Sequence, residues 1–397
     1  MNVAVKASNC QGQIDAIVSK SYAHRIAICS YFSGEEIFES YNGFSSDDIK
    51  VTAKCLKAVS RGERKLDCNE SGSTLRFLIP FCASLGGEFE LTGSKRLMER
   101  PNDELIKCLS DHGVRIESGN SIFIKGKLTS GKYKIRGDIS SQYVSGLLMA
   151  LPTLDGDSKI ELTTPLASAP YVDITLQVLE EFGVKVDRTE NGFIILGNQK
   201  YKGSILPEGD WSNAAFFLTY AAISGKVIMN GLNANSVQGD RYILDILKKA
   251  GAKVIVNENS IEVQKRELNA FTFDAENCPD LVPIASVLAG CAKGDSVIKN
   301  ISRLKIKESD RVQAIIDLLG TFGICARSDG ENLYIKGGKP KSASVDSFND
   351  HRMVMSASVL AGVCGGESVI YNAQAVNKSY PTFFEDYRKL GGVTYEV

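Results

Sequence analysis

The dominant pattern in the chain is a repeated alternation of apolar and polar stretches. Each unit begins with polar residues, continues through an apolar stretch of helical length, stops at a glycine and then alternates as a half-buried strand does. Six stretches fit this unit, and they begin at Lys20, Glu70, Ser140, Asp210, Pro279 and Asn349. Five of the six copies keep nearly the same spacing and the first is short, as shown by the closing glycines Gly34, Gly86, Gly156, Gly225, Gly294 and Gly365.

A second landmark recurs between these stretches. An amphipathic helix ends in glycine, a strand follows, and a polar turn leads into another strand, as in EEFGVKVDRTENGFIILG. The glycines of this landmark are Gly113, Gly183, Gly251, Gly323 and Gly391, and the last copy is truncated. Glycine suits the left-handed residue that ends a helix, and TENG is typical of a turn. The unit is therefore predicted as helix, strand, helix, strand, turn, strand.

Six copies of this unit suit two lobes of three units each, so we expect a two-lobed α/β protein. Helix–glycine–strand sequences are common, so the six stretches could resemble one another by chance. Two separate landmarks that recur with the same period argue against this. The stretch KYKGSILPEGDW, with its proline and polar turns, marks a crossover near residue 208. The segment before residue 19 carries no helix motif and is expected to be a strand of the C-terminal lobe. The predicted domains are 19–208, and 1–18 with 209–397.

Composition narrows the class of protein. Lysine plus arginine number 46 and aspartate plus glutamate 47, so no overall positive charge would attract nucleic acid or an anionic membrane. The first residues lack a basic segment followed by an apolar run, and no apolar run is long enough to span a bilayer. Ten scattered cysteines and three histidines argue against a zinc site or a disulfide framework. A cytoplasmic protein with reduced thiols fits best.

Polar residues concentrate where the apolar helices begin. Four of these starts carry Lys, Arg, His or Gln within a turn, and Lys20, Arg25, Gln142 and Arg352 are examples. A helix N-terminus has free N–H groups and a partial positive charge, so it is an anion site. Ordinary N-capping by Ser, Thr, Asp and Asn explains any single start, but cations are disfavoured there. We therefore expect these cations to bind an anion that is not part of the chain.

The run SRLKIKESDRV forms a denser cluster of charge. Arg303, Lys305 and Lys307 alternate with apolar residues, which predicts a strand with three cations on one face. Lys307 and Arg311 lie four apart across the start of the next helix, where like charges repel by a few tenths of a kcal/mol. A bound anion between them would reverse that sign, and a solvated charged turn is the alternative.

Taken together, these segments resemble the 5-enolpyruvylshikimate-3-phosphate synthases of the enolpyruvyl transferase family. The resemblance covers nearly the whole chain and rests on KSYAHR, ESGSTLR, the basic loop GSKRLMERP, ISSQY, SAPYVDITL, PDLVPIA, KIKESDR, NDHRM and VNKSYP, in family order. It implies an enolpyruvyl-transferase-like fold of six repeated α/β units, three per lobe. It also implies that helix starts from both halves meet in one cleft, which closes around two anionic reactants.

The resemblance further implies transfer of the enolpyruvyl group of phosphoenolpyruvate to the 5-hydroxyl of shikimate 3-phosphate, with release of phosphate. This is a step of aromatic amino acid biosynthesis through the shikimate pathway. It needs no metal or organic cofactor, and we expect a monomer that binds these two small molecules. At matching positions the implied catalytic residues are Lys20, Asp280, Lys307 and Glu308. Asp280 would take the hydroxyl proton, and Glu308 with Lys307 would serve proton transfer at the methylene carbon.

The same resemblance implies two sets of ligands. Shikimate 3-phosphate would be held by Lys20, Ser21, Arg25, Ser140, Ser141, Gln142, Ser168, Tyr171, Asp280 and Lys307. Phosphoenolpyruvate would be held by Lys20, Gly72, Arg96, Gln142, Arg311, Arg352 and Lys378. Protonating the enol carbon creates positive character at its neighbour, which a carboxylate such as Glu308 stabilises, while cations hold the leaving phosphate.

Two other functions stay open at this point. A sister transferase attaches enolpyruvate to UDP-N-acetylglucosamine, but it normally offers a reactive Cys or Asp in a mobile loop of the N-terminal half. The loop from Lys95 to Arg100 has no cysteine. A non-catalytic repeat scaffold that binds anions is the other alternative. Lys20, Asp280, Glu308 and Arg352 argue against it, because a scaffold has no use for paired acids among cations.

Overall fold

The computed structural model describes residues 1–35 and 46–397. Within these ranges the α-helices are α1 (Lys20–Ser33), α2 (Asp47–Ser60), α3 (Gly72–Leu85), α4 (Lys95–Met98), α5 (Asp103–Ser110), α6 (Ser141–Ala150), α7 (Ala169–Glu181), α8 (Trp211–Ser224), α9 (Ile243–Lys249), α10 (Val282–Cys291), α11 (Arg311–Thr321), α12 (His351–Val363) and α13 (Phe383–Lys389). Short 3₁₀ helices cover Leu151–Thr153, Gly239–Tyr242, Pro279–Leu281, Ser302–Ile306 and Ala373–Lys378.

The strands alternate with these helices along the chain. They are β1 (Val3–Lys6), β2 (Gln11–Asp15), β3 (Lys65–Asp67), β4 (Glu88–Thr92), β5 (Val114–Ser118), β6 (Ile122–Gly126), β7 (Lys132–Ile135), β8 (Ser158–Leu162), β9 (Val186–Thr189), β10 (Gly192–Ile195), β11 (Lys226–Asn230), β12 (Lys253–Val256), β13 (Ser260–Gln264), β14 (Thr272–Asp274), β15 (Asp295–Lys299), β16 (Cys325–Ser328), β17 (Asn332–Lys336), β18 (Ser344–Asp346), β19 (Glu367–Tyr371) and β20 (Val393–Glu396).

The chain divides into two compact units. The first, which we call the N-terminal unit, comprises Lys20–Pro207, and the second, the C-terminal unit, comprises Met1–Ser19 together with Glu208–Val397. Each unit has a hydrophobic core of its own. No helix in the described part of the chain combines the length and the apolar character needed to cross a bilayer.

In its described residues, the N-terminal unit has two four-stranded sheets with the same arrangement, β3-β4-β6-β5 and β7-β8-β10-β9. In both sheets the first pair is parallel and the other two pairs are antiparallel. The apolar helices α3 and α6 pack closely against each other. Gly146 permits this approach, because a Cβ there would lie 2.8 Å from Cγ of Pro80 and 3.0 Å from the carbonyl oxygen of Arg76.

The C-terminal unit contains three such sheets, and the first residues of the chain supply strands to two of them. The orders are β14-β15-β17-β16, β18-β19-β1-β20 and β12-β13-β11-β2. Strand β1 is antiparallel to both β19 and β20, which is the position that β17 holds in the complete copy. The truncated last copy therefore obtains its missing strand from the start of the chain. Strand β2 runs parallel to β11 and leads that sheet.

The predicted repeating unit is present in the structure, with a short additional strand before several copies. The six apolar helices are α1, α3, α6, α8, α10 and α12, and a strand follows the last five. The strand expected after Gly34 falls at 35–40, nearly all of it outside the described residues. The five glycines of the second landmark have φ between 71° and 99°, as the helix-ending role requires. A short leading strand, such as β3 or β14, precedes several copies and was not predicted.

The strand predicted for Arg303, Lys305 and Lys307 is wrong. Ser302–Ile306 forms a 3₁₀ helix, so the three cations do not share a strand face. Ile301 and Leu304 are fully buried, whereas Ile306 is 38% exposed. Residues three apart face the same side of a 3₁₀ helix. The burial period is therefore three, and the alternation of charge and apolar residues over five positions was misleading.

Candidate active site

Three helix starts in the C-terminal unit carry its clustered charges. Asp280 lies in the 3₁₀ turn Pro279–Leu281 directly before α10, Arg311 is the first residue of α11, and Arg352 is the second residue of α12. Asp350 caps α12, since its carboxylate accepts a hydrogen bond from the backbone N–H of Arg352 at 2.9 Å. Asp310 caps α11 in the same way, through the backbone N–H of Gln313. A capped helix start has a fixed direction, so Arg311 and Arg352 project from rigid backbone.

Arg311 is the centre of this cluster. Its Nε donates to Asp350 at 2.8 Å, its Nη1 to Asp280 at 2.9 Å and its Nη2 to Glu308 at 2.7 Å. Only 1% of the Arg311 side chain is exposed. Burial alone would lower the pKa of Arg311, but attraction to Asp350, Glu308 and Asp280 raises it above its ordinary value. Arg311 is therefore a permanent cation that organises three acids.

Asp280 is held by three cations. Its Oδ1 lies 2.9 Å from Nη1 of Arg311 and 3.7 Å from Nζ of Lys307, and its Oδ2 lies 2.8 Å from Nη2 of Arg352. Burial would raise the pKa of Asp280, but Arg352, Lys307 and Arg311 together hold it well below its ordinary value. The anion expected between Lys307 and Arg311 is thus supplied by the protein itself, because Asp280 contacts both.

The backbone before α12 has an unusual conformation. Phe348 and Asn349 have φ of +55° and +53°, in the left-handed region that costs a non-glycine residue roughly 1–3 kcal/mol. Nζ of Lys378, in the 3₁₀ helix Ala373–Lys378, donates to the carbonyl oxygen of Asn349 at 2.5 Å. Lys378 is thereby anchored beside the start of the helix that carries Arg352. Such outliers concentrate at functional sites.

In the N-terminal unit, Arg25 places a buried cation among neutral oxygens. Its guanidinium donates to Thr175 Oγ1 at 2.6 Å, to the carbonyl oxygens of Ser21 and Tyr171 at 2.7 and 2.8 Å, and to Ser145 Oγ at 3.2 Å. Burial lowers the pKa of Arg25 to about 10, which still leaves it charged at neutral pH. These bonds join α1 to α6 and α7, and the charge favours an anion nearby.

A second network joins the starts of α3 and α6. Nη1 of Arg76 donates to Oε1 of Gln142 at 2.8 Å, and Nε2 of Gln142 donates to Oγ of Ser73 at 2.9 Å. Ser140 caps α6 by accepting from the N–H of Gln142 at 3.3 Å, and Ser141 is the first residue of that helix. Both helix starts therefore present hydroxyl and amide groups in fixed positions.

Arg100 and not Arg96 is the buried arginine of the basic loop. Arg96 is exposed on α4, whereas Arg100 is only 7% exposed and packs against the first residue of α3. That residue is Gly72, and a Cβ there would clash with Nη1 of Arg100 and lie 3.0 Å from its Cζ. The absence of a side chain at Gly72 lets the guanidinium approach the positive end of a helix. Sequence reasoning placed Arg100 in the loop but gave it no role.

The remaining predicted residues of this unit lie at the starts of α1 and α7. Lys20 pairs with Asp48 at 2.7 Å, and the two side chains are 16% and 14% exposed. Ser168 precedes α7 with φ of +55°, another left-handed non-glycine residue. Tyr171, in the first turn of α7, is half-buried and accepts a hydrogen bond from Arg25 through its carbonyl oxygen.

Comparison with known proteins decides the family. A family model described as EPSP synthase (3-phosphoshikimate 1-carboxyvinyltransferase) matches residues 58–387. The chain belongs to the EPSP synthase family. A 3-phosphoshikimate 1-carboxyvinyltransferase from Clostridium kluyveri is 41% identical, covering 98% of this chain and 97% of the relative. One from Clostridium novyi is 38% identical, covering 100% and 98%.

Solved structures share the fold. An EPSP synthase from Acinetobacter baumannii aligns with a TM-score of 0.79 at 23% identity over 100% of both chains. The enolpyruvyl transferase NikO from Streptomyces tendae aligns with a TM-score of 0.80 at 15% identity, over 100% of this chain and 98% of that one. The predicted enolpyruvyl-transferase-like α/β fold is therefore confirmed.

With the EPSP synthase family established, the predicted site residues fall into two groups. In the C-terminal unit, ion pairs join Asp280, Lys307, Glu308, Arg311 and Arg352 into one cluster, with Lys378 anchored beside it. In the N-terminal unit, Arg96 lies exposed on α4, and the other predicted residues lie at four helix starts: Lys20, Ser21 and Arg25 on α1, Gly72 on α3, Ser140, Ser141 and Gln142 at α6, and Ser168 and Tyr171 at α7.

Proposed function

We propose that this protein transfers the enolpyruvyl (carboxyvinyl) group of phosphoenolpyruvate to the 5-hydroxyl of shikimate 3-phosphate and releases phosphate. The observation that carries the proposal is Asp280, a carboxylate at a helix start among three cations, in a chain of the EPSP synthase family. Such an acid can accept a hydroxyl proton while the neighbouring cations bind an anionic co-substrate.

Activation of Asp280 follows from its ion pairs. Arg352 and Arg311 contact Asp280, and a phosphoenolpyruvate anion that binds these guanidinium groups competes with it. Because those cations hold the pKa of Asp280 low, drawing them away raises that pKa. A carboxylate with a higher pKa is a stronger base. Binding of the co-substrate thereby prepares Asp280 to take the 5-hydroxyl proton.

Glu308 and Lys307 are proposed to act at the methylene carbon. Their side chains are 25% and 28% exposed, so both remain reachable beside the buried Arg311. Protonation of the methylene carbon makes the adjacent carbon electrophilic, and the 5-oxygen attacks it as Asp280 takes the proton. Loss of a methyl proton and of phosphate then restores the double bond. The Glu308 carboxylate stabilises the positive character that develops between these steps.

The N-terminal unit is proposed to hold the phosphate groups. Its proposed ligands of shikimate 3-phosphate are Lys20, Ser21, Arg25, Ser140, Ser141, Gln142, Ser168 and Tyr171. For phosphoenolpyruvate we propose Lys20, Gly72, Gln142 and Arg100, with Lys378 of the C-terminal unit. Arg100 takes the place first given to Arg96, because Arg100 is the arginine packed against the start of α3. Backbone N–H groups at these helix starts suit phosphate oxygens.

We further propose that the enzyme is a monomer and acts in the cytosol. Light scattering on a sizing column tests the first point, since a monomer has a mass of 43.1 kDa. A mass of twice that value at micromolar protein contradicts it.

One assay tests the proposed activity. The protein is mixed with shikimate 3-phosphate and phosphoenolpyruvate, and released phosphate is followed with time. We expect steady release that needs both substrates and produces one enolpyruvyl product per phosphate. Release with UDP-N-acetylglucosamine in place of shikimate 3-phosphate would favour the sister transferase. No turnover with either acceptor at micromolar enzyme would favour a non-catalytic anion-binding protein.

A further inference from the structure

The chain passes from one unit to the other at two places, directly after Ser19 and directly before Glu208. At both places the adjoining segment of the C-terminal unit is hydrogen-bonded to the other such segment. The N–H of Ser19 donates to the carbonyl oxygen of Glu208 at 2.8 Å, and the N–H of Asp210 donates to that of Ile17 at 2.8 Å. The two segments are therefore tied to each other within the C-terminal unit.

The buried side chain of Gln238 holds both of these segments. It is 5% exposed. Its Oε1 accepts a hydrogen bond from Oγ of Ser19 at 3.1 Å and another from the backbone N–H of Trp211, the first residue of α8, at 3.2 Å. Its Nε2 donates to the carboxylate of Glu208 at 3.1 Å and to the carbonyl oxygen of Gly209 at 2.8 Å. All four hydrogen-bonding positions of the amide are thus used.

The partners of Gln238 determine which way its amide group points. The N–H of Trp211 can only donate and the carbonyl oxygen of Gly209 can only accept, so the amide oxygen faces the first and the amide nitrogen the second. A glutamate at this position would have no N–H for Gly209 and would face the carboxylate of Glu208. A buried polar network with every group satisfied is rigid. The network therefore requires both halves of an amide.

Ser19 connects this network to a residue of the proposed site. Ser19 is fully buried and directly precedes Lys20, the first residue of α1. The far end of Lys20 is held as well, since its Nζ lies 2.7 Å from Oδ2 of Asp48. Lys20 is therefore fixed at its ammonium group by Asp48 and at its backbone through Ser19. A ligand group that is held in advance loses less freedom when the substrate binds.

We propose that Gln238 is a positioning residue for Lys20, which it holds in its substrate-binding position through Ser19. The proposal rests on the function proposed above, in which Lys20 binds shikimate 3-phosphate. Gln238 acts on the substrate through Lys20 and not by contact. Loss of the Gln238 amide should therefore weaken substrate binding only in a protein that has Lys20.

A double-mutant cycle tests this role. Calorimetry measures the Kd for shikimate 3-phosphate in wild type, Gln238→Met, Lys20→Met and the double variant. Methionine has about the length of glutamine but has neither its N–H groups nor its carbonyl oxygen. We expect Gln238→Met to weaken binding about tenfold when Lys20 is present and by less than about twofold in Lys20→Met, because residues that act as a unit give non-additive effects.

Gln199→Met is the matched control. Gln199 also joins two loops, since it accepts from the N–H of Lys185 at 2.8 Å and donates to the carbonyl oxygens of Lys185 and Leu196 at 2.9 Å each. None of the residues proposed as ligands lies next to it in the chain. Gln199→Met should lower the melting temperature as Gln238→Met does, but leave the Kd for shikimate 3-phosphate within about twofold of wild type.

A spectrum of the free protein gives a second readout. In ¹H–¹⁵N spectra of protein labelled at lysine, the backbone signal of Lys20 is the one that disappears in Lys20→Met. This signal should shift or broaden in Gln238→Met and stay in place in Gln199→Met. A Lys20 signal that does not move in Gln238→Met overturns the proposal.

The outcomes separate this proposal from the proposed function. Wild type that does not bind shikimate 3-phosphate contradicts the function, and with it this role. Wild type that binds, with the same loss of affinity from Gln238→Met whether or not Lys20 is present, contradicts the role alone. No loss in Gln238→Met, or an equal loss in Gln199→Met, also contradicts it.

Ser19→Ala keeps the test decisive if Gln238→Met does not fold. This change removes one hydrogen bond and leaves the other three bonds of the Gln238 amide in place. We expect a loss of affinity for shikimate 3-phosphate of about threefold that disappears in Lys20→Met. A loss of the same size in both backgrounds overturns the proposal, and so does the absence of any loss.

Discussion

The side chain of Arg352 binds both the carboxylate and the backbone carbonyl group of Asp280. Its Nη2 donates to the Asp280 carboxylate at 2.8 Å, and its Nη1 donates to the Asp280 carbonyl oxygen at 3.3 Å. This arginine therefore fixes the position of Asp280 and also suppresses its basicity. An anion that binds Arg352 therefore changes the surroundings of Asp280, the carboxylate that we propose as the catalytic base.

The first prediction concerns Arg352→Gln. A charge-assisted hydrogen bond contributes roughly 1.5–3 kcal/mol, so its loss should raise KM for phosphoenolpyruvate by roughly 10- to 100-fold. The pKa of Asp280 should rise as well, because its strongest Coulombic attraction is removed. Steady-state kinetics with phosphoenolpyruvate as the varied substrate measures the effect. Arg266→Gln, an exposed arginine of the same unit, is the control, and an equal KM in both variants would show that Arg352 does not bind the substrate.

Gly72→Ala gives a second test. The added methyl group displaces the guanidinium of Arg100, which is the mobile end of a side chain, so the fold should tolerate the change. We expect a weaker interaction with phosphoenolpyruvate, a KM higher by about tenfold or more and a melting temperature within a few degrees of wild type. Gly320→Ala on α11 is the control, since a Cβ at Gly320 meets nothing within 4 Å. Unchanged KM in Gly72→Ala would remove Arg100 from the phosphoenolpyruvate site.

Paired substitutions distinguish the two arginines of the basic loop. Arg100→Gln should raise KM for phosphoenolpyruvate at least tenfold, because Arg100 is buried at a helix start. Arg96→Gln should change it less than twofold, because Arg96 is exposed and surface charges contribute little. Isothermal titration with phosphoenolpyruvate in the presence of shikimate 3-phosphate supplies an independent affinity. The reverse order of effects would restore the original assignment of Arg96.

The repeating helices could be predicted because each carries three independent signals. Polar residues at the start, an apolar stretch and a closing glycine occur in all six copies, and side-chain caps form at Ser71, Ser140, Asp210 and Asp350. The leading strands could not be found this way. Strands β3, β14 and β18 are too short for an alternating pattern. Each forms by pairing with the strand that follows the next apolar helix, which no local pattern reveals.

The site was only partly visible in the sequence. The pattern of polar helix starts singled out Arg352, the charged run before α11 singled out Arg311, and the role of Asp280 came from the resemblance to the family. The ion pairs among them join residues 31 to 72 positions apart, and no local pattern reports such pairing. The choice between Arg96 and Arg100 also needed the structure, because both stand in one loop and the sequence does not show which of them is buried.

The account depends most on Asp280 as the base. Asp280→Asn keeps the size of the side chain and removes its charge, and Asp295→Asn, at the exposed first residue of β15, is the control. We expect kcat for phosphate release from phosphoenolpyruvate and shikimate 3-phosphate to fall by about 10²- to 10⁴-fold in Asp280→Asn. Calorimetry should show that the same variant still binds shikimate 3-phosphate within about threefold of the wild-type affinity, a change of under about 1 kcal/mol. A kcat within threefold of wild type in a folded Asp280→Asn protein would contradict the mechanism.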